Sequence, residues 1–231
     1  MRPVLVCLSL VGLVSVACGK REDPAAGLNT PAAPSRAAAP TPLPGAPASP
    51  AGATAGPAVD PSTWVVSTKD DPAGVARCGG LTFQKPALWP WVVPSMRFRT
   101  LQYSVPGTDG SSPAELVFSV FIGGDGGGIE MNIQRWVQQF RPTDGVPPRT
   151  EQSTRIVDGM KVNLIESEGS YAGMGAAAPK PDYAQLGAII EAPGRTVYVK
   201  LLGPDKTVLE NVDAFNALID SIQDDAATPG S

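Results

Sequence analysis

The sequence predicts an α+β fold: an antiparallel β-sheet flanked by helices. Three observations predict it. Extended runs follow one another at hairpin spacing, with Asp158-Gly159 and Pro193-Gly194 as their turns. Two other segments, Ile129 to Phe140 and Val208 to Ile222, repeat their apolar residues at helical spacing instead. Those hairpins stand where parallel crossovers would be needed, so the sheet is antiparallel.

Taken in order, Gly80 to Gln84 is a short strand, followed by a proline-punctuated stretch from Pro86 to Pro94 that neither a helix nor a central strand accommodates. Met96 to Val105 alternates in two phases, which predicts a strand with a bulge near Thr100. Leu116 to Ile122 is apolar except at Ser119, as in a strand covered on both faces. After the turn Gly123 to Gly128, residues Ile129, Ile133, Trp136, Val137 and Phe140 mark an amphipathic helix. The hairpins Gln152–Val157 with Met160–Glu168, and Tyr183–Ala192 with Arg195–Leu202, come next. Gly203-Pro204 ends the last strand, and Val208, Val212, Phe215, Ile219 and Ile222 define a second helix.

The segments outside this domain are read from composition. Residues 1–17 form a signal peptide: Arg2 precedes an apolar run, Val4 to Val16, too short to span about 30 Å of hydrocarbon. The ending Val14-Ser-Val-Ala-Cys18-Gly19 resembles a bacterial lipobox. That resemblance implies that Cys18 is lipidated and that the protein meets the membrane through this N-terminal lipid. With Gly19 after it, it also implies sorting to the outer membrane, facing the periplasm. Residues 18–61 are the lipidated cysteine and a tether. Pro24 to Pro61 holds ten Pro and thirteen Ala with only Arg36 and Asp60 charged, which cannot offset its ordering entropy by burial. Its reach lies between about 35 Å as a coil and about 120 Å as polyproline II. Residues 62–223 are the α+β domain and 224–231 a frayed tail. Cleavage removes Cys7 and acylation occupies Cys18. Cys78 is then the last of the three cysteines, and burial is the expectation for it.

Composition narrows the function. The chain has 231 residues, net charge −4 and no histidine. The acidic balance argues against nucleic acid as partner, and the missing imidazole removes Ser-His-Asp, Cys-His and His-ligated metal chemistry. No cofactor or metal motif is found. The run Gly123 to Gly128 lacks a P-loop ending, and Asp125 and Glu130 put negative charge where a phosphate would sit.

Phe83-Gln-Lys-Pro86-Ala-Leu-Trp89, the start Met96-Arg97, the strand Glu115-Leu-Val-Phe118 and the helix Asn132-Ile-Gln-Arg135-Trp136-Val-Gln-Gln139-Phe140 resemble a group of bacterial envelope proteins. These in turn resemble the PsbP-like fold, named for an extrinsic photosystem II subunit. That resemblance covers most of Thr63 to Ile222 and implies an α/β/α sandwich acting as an accessory or binding module, with a partner protein in the envelope and no chemistry of its own. The expected function is therefore that of a non-catalytic, lipid-anchored binding domain. The alternative is an envelope hydrolase using carboxylates such as Glu166 and Glu168, which follow Met160, Val162 and Leu164 on one strand face.

The candidate binding patch is Asn132, Arg135 and Gln139, a polar stripe at i, i+3 and i+7 beside the buried helix face, with Arg97 as an added member. Two further readings accompany it: a solvated stripe, or side chains that satisfy backbone groups beside the sheet. Gly169 to Asp182 is read as a long contact loop or solvated insertion, and Trp64, Trp89 and Trp91 as aromatics that close the core.

Overall fold

The structure is a computed structural model that describes residues 60–142, 144–173 and 175–225. The signal peptide, Cys18 with all but the end of the tether, Met174 and residues 226–231 lie outside the described residues. The described part is α+β, with a large antiparallel sheet between two layers. Its strands are β1 (Val75–Cys78), β2 (Leu81–Gln84), β3 (Leu101–Val105), β4 (Ala114–Ile122), β5 (Phe140–Arg141), β6 (Arg149–Val157), β7 (Met160–Tyr171), β8 (Lys180–Ala192), β9 (Arg195–Pro204) and β10 (Gln223–Asp224). The helices are α1 (Ile129–Val137), α2 (Asp205–Glu210) and α3 (Val212–Asp220). The large sheet runs β3-β4-β9-β8-β7-β5, with β6 also pairing β7, and β1-β2-β10 form a small sheet.

Alternation fixes which face of the large sheet each residue serves. Phe118, Val162, Ala188, Ile190, Val197, Val199 and Leu201 point to one face, where they meet Cys78, Phe83, Phe215 and Ile219 from the small sheet and α3 in the main core. On the opposite face Ile133 and Trp136 of α1 pack on Ile165, Ile189 and Tyr198. These are the two outer layers of the sandwich. Among the described residues no helix is long and apolar enough to cross a membrane.

Local sequence sets the turns. Asp158 and Gly159 both adopt positive φ, 47° and 75°, as their two-residue hairpin requires. Gly79 and Gly80, at φ 62° and 67°, turn β1 into β2, and a Cβ on Gly79 would lie 2.9 Å from a Val120 methyl. Only glycine meets both demands.

Several expectations are corrected. Met96 to Arg99 is a turn closed by Arg99 N–H on the Met96 carbonyl at 3.0 Å, so the strand begins at Leu101. Its two-phase alternation marked an exposed turn, with Met96 and Phe98 in solvent, rather than a bulge. The first helix stops at Val137, and Phe140 lies in the two-residue strand β5. The last helix is two, because the chain breaks at Asn211. Pro204 does not end β9 but completes it opposite Tyr183. Both long hairpins extend further than alternation shows, leaving residues 172–179 as the loop between β7 and β8. Asp224 is strand, not tail: it pairs Leu81 and accepts from Arg195 Nη2 at 2.6 Å.

Candidate functional site

Beside the edge strand β3 lies a cleft of about 310 Å³, lined among others by Thr68, Asp71, Lys85, Trp89, Trp91 and Tyr103. The prolines build one wall. Pro90 and Pro94 keep their segment out of the regular ladder, yet Val92 N–H donates to the Gln102 carbonyl at 3.0 Å and Ser104 N–H to the Pro90 carbonyl at 2.9 Å. This lays Trp91 against Tyr103. The other wall is a turn in which Asp71 accepts from Thr68 N–H at 2.7 Å and from its hydroxyl at 2.9 Å. Those bonds hold the Asp71 carboxyl below its ordinary pKa, the backbone bond first.

Lys85 clamps the two walls together. Its buried ammonium donates to the Ala73 carbonyl, to the Trp89 carbonyl at 2.8 Å and to the Pro86 carbonyl at 3.2 Å, and lies 4.6 Å from the Tyr103 ring centroid. Burial lowers its pKa, and burial likewise pushes the Tyr103 hydroxyl up to about 12. Lys85 is therefore spent on structure and is no free base. Trp91 differs: it is half-buried, and its buried indole N–H has no acceptor among the described residues. An aromatic cleft with one unspent donor suits a partner that brings an apolar group and a carbonyl.

The stripe predicted on the first helix divides. Asn132 is buried, and its amide nitrogen donates to the carbonyls of Gly126 at 2.7 Å and Gly128 at 3.0 Å and to the Tyr198 hydroxyl at 3.0 Å. It closes the glycine loop onto the sheet, satisfying backbone groups rather than reading a partner. Arg135 is exposed and donates to Asn132 Oδ1. Gln139, half-buried, follows the helix with its side-chain carbonyl buried and without a donor among the described residues. Arg97 sits at the exposed turn of Met96 to Arg99, and among the described residues no hydrogen bond joins it to these three.

Glu166 and Glu168 do follow the face of Met160, Val162 and Leu164, but Glu166 is exposed and Glu168 lies 3.7 Å from Arg149, which also holds Glu151. This is a surface charge pattern. Cys78 is fully buried, and Trp89 closes the core as expected, whereas Trp91 packs on the core and also lines the cleft. Sequence reasoning missed Lys85 and Tyr103; the Lys-Pro step beside two Trp-Pro and Pro-Trp steps was the available signal.

No protein-family model matches the chain, and no curated protein matches it. Among solved structures it is similar to a Pseudomonas aeruginosa protein of unknown function described as a putative regulator. The identity is 11% and the TM-score 0.39, covering 68% of this chain and 96% of that one. It is also similar to the cyanobacterial PsbP, CyanoP, of Synechocystis at 13% identity and TM-score 0.42, covering 77% and 99%. A Bacteroides thetaiotaomicron protein is similar at 9% identity and TM-score 0.38, covering 67% and 46%.

Proposed function

We propose that this chain is a lipid-anchored accessory domain of the bacterial envelope, PsbP-like in kind, that binds a protein partner without catalysing a reaction. The lipobox-like Val14 to Gly19 supports the anchor at Cys18 and an outer-membrane, periplasm-facing site. Several acyl chains at about 0.8 kcal/mol per buried CH₂ make such an anchor stable. The observation that carries the binding role is the aromatic cleft with its unspent Trp91 N–H. Its occupant is a partner segment that lays an apolar side chain on the half-buried Trp91, whose indole turns on binding to give its buried N–H to a partner backbone carbonyl.

Trp91→Phe keeps most of the packing and removes the donor. Chemical crosslinking in intact cells, read by mass spectrometry, should lose a partner in Trp91→Phe while the melting temperature stays within a few degrees. An unchanged set of crosslinked proteins would sink the cleft as the binding site.

A further inference from the structure

The face of the large sheet that packs on α1 also carries a row of polar residues, apart from the cleft. Thr150 of β6 stands opposite Ser167 of β7, and Ser167 stands opposite Gln185 of β8, so the three form one cross-strand row on the same face as Ile165 and Ile189. Gln185 is 0% exposed and Ser167 is 1% exposed. Both polar atoms of the Gln185 amide, the Ser167 hydroxyl and the Thr150 hydroxyl are buried without a hydrogen-bond partner among the described residues. Native interiors hold few such groups, and each costs free energy when left unmatched. Here four such atoms share one row.

Aromatic groups border the row on both sides. On one side Tyr171 stacks on Tyr183 at 6.0 Å between centroids. On the other, Trp136 occupies the room left by Gly187, where a Cβ would meet the ring at 2.5 Å and the Gln185 amide nitrogen at 3.5 Å. The Gln185 amide thus reaches toward the indole. Lys200, opposite Gly187 on β9, lies 5.6 Å from the same ring. It makes no salt bridge among the described residues, whereas its cationic neighbours are occupied, Arg99 by Glu115 at 3.1 Å and Arg135 by Asn132. Burial first, then Arg99 and Arg135, pull the Lys200 ammonium down to about 8, with Glu115 acting against them. Gln139 adds a second orphan carbonyl near this end of the sheet, tied there by Ala172 N–H on its backbone carbonyl at 2.6 Å.

We propose that this row binds a small carboxylate that carries an adjacent N–H or O–H donor. The carboxylate is drawn by Lys200 and the Gln185 amide nitrogen, with the two hydroxyls as further donors. The adjacent donor meets the Gln185 side-chain carbonyl, which a simple anion leaves unmatched. An acylated amino acid and a hydroxy acid share this chemistry. The site is independent of the aromatic cleft, so either can fail alone.

The test uses the full chain with isotope-labelled side-chain amides, titrated with N-acetylglycine, glycolate, acetate and N-methylacetamide. N-acetylglycine or glycolate should shift the Gln185 amide saturably, with Kd at or below about 1 mM, and whichever is tighter identifies the donor as N–H or O–H. Lys200→Met should weaken that binding at least about tenfold. Gln185→Leu should abolish it while the melting temperature holds or rises, since an unmatched amide is removed. No saturable shift, or a response to acetate as strong as to N-acetylglycine, overturns the proposal. So does a loss of several degrees in Gln185→Leu, which would show that the fold itself uses the amide.

Discussion

Removing Arg195 should be the most damaging polar substitution in this domain. Its guanidinium is 0% exposed and donates to the Gly79 carbonyl, to Pro193 and Gly80 carbonyls at 3.0 and 3.3 Å, and to Asp224 at 2.6 Å. It also stacks 5.4 Å from the Trp64 centroid. One side chain therefore joins the β8–β9 turn to the β1–β2 turn, the N-terminal entry and β10. Arg195→Met leaves the Asp224 carboxylate, 5% exposed at its side chain, without that cation. Breaking a buried pair from one side costs about 3–5 kcal/mol. For a domain of this size that is a fall of about 10 °C in melting temperature. Urea unfolding followed by tryptophan fluorescence measures it. The double variant Arg195→Met/Asp224→Leu should recover part of the loss, because it also removes the buried carboxylate that has lost its arginine. A single-variant cost below about 1 kcal/mol, or a double variant worse than the sum of its parts, would show that Arg195 does not hold these turns together.

Further outcomes follow from packing and burial. Gly187→Ala puts a methyl against the Trp136 ring and should cost about 1–3 kcal/mol by overpacking, while Gly110→Ala, which has open space but positive φ, should cost less. Asn132→Leu strands two glycine-loop carbonyls and the Tyr198 hydroxyl and should destabilise by about 1–3 kcal/mol in chemical denaturation, with partner recovery in intact cells unchanged. Burial pushes the Cys78 thiol up to about 12 from an ordinary 9.0. The native chain holds that proton while the unfolded chain releases it, so stability should fall as pH rises above 9, by up to about 1.4 kcal/mol per pH unit relative to Cys78→Ala. A maleimide should label Cys78 only on unfolding. Metabolic labelling with a fatty-acid analogue should mark the wild type and not Cys18→Ser; equal labelling of both would remove the anchor.

The parts of the fold legible in the sequence are those where one residue type answers one geometric demand. Asp158-Gly159 announces a turn of two positive φ values, and Val197, Val199 and Leu201 announce a covered face by strict alternation. The illegible parts depend on tertiary partners. Met96, Phe98 and Thr100 alternate like a strand, but the edge of β3 is already occupied by the proline segment, so Met96 to Arg99 form a turn. Asn132 reads as a polar stripe beside Arg135 because helical spacing cannot show that a glycine loop folds back over it. Gln185 sits in the apolar stretch Ala184 to Ile190 of its strand, and only the register that sets it beside Ser167 and Thr150 turns three ordinary residues into one row. The cleft was half legible: the prolines and tryptophans between Pro86 and Pro94 excluded regular structure, but Lys85 gains its role from carbonyls that the fold alone assembles.

In the proposed function the cleft beside β3 faces a partner. A photo-crosslinking residue at Leu88, 80% exposed and adjacent to the cleft residues Ala87 and Trp89, tests it in living cells against the same residue at Met131, 68% exposed on α1. Leu88 should give a discrete crosslinked protein that is absent from Met131 and disappears in Trp91→Phe. Equal products from both positions, or a Leu88 product indifferent to Trp91→Phe, would contradict it.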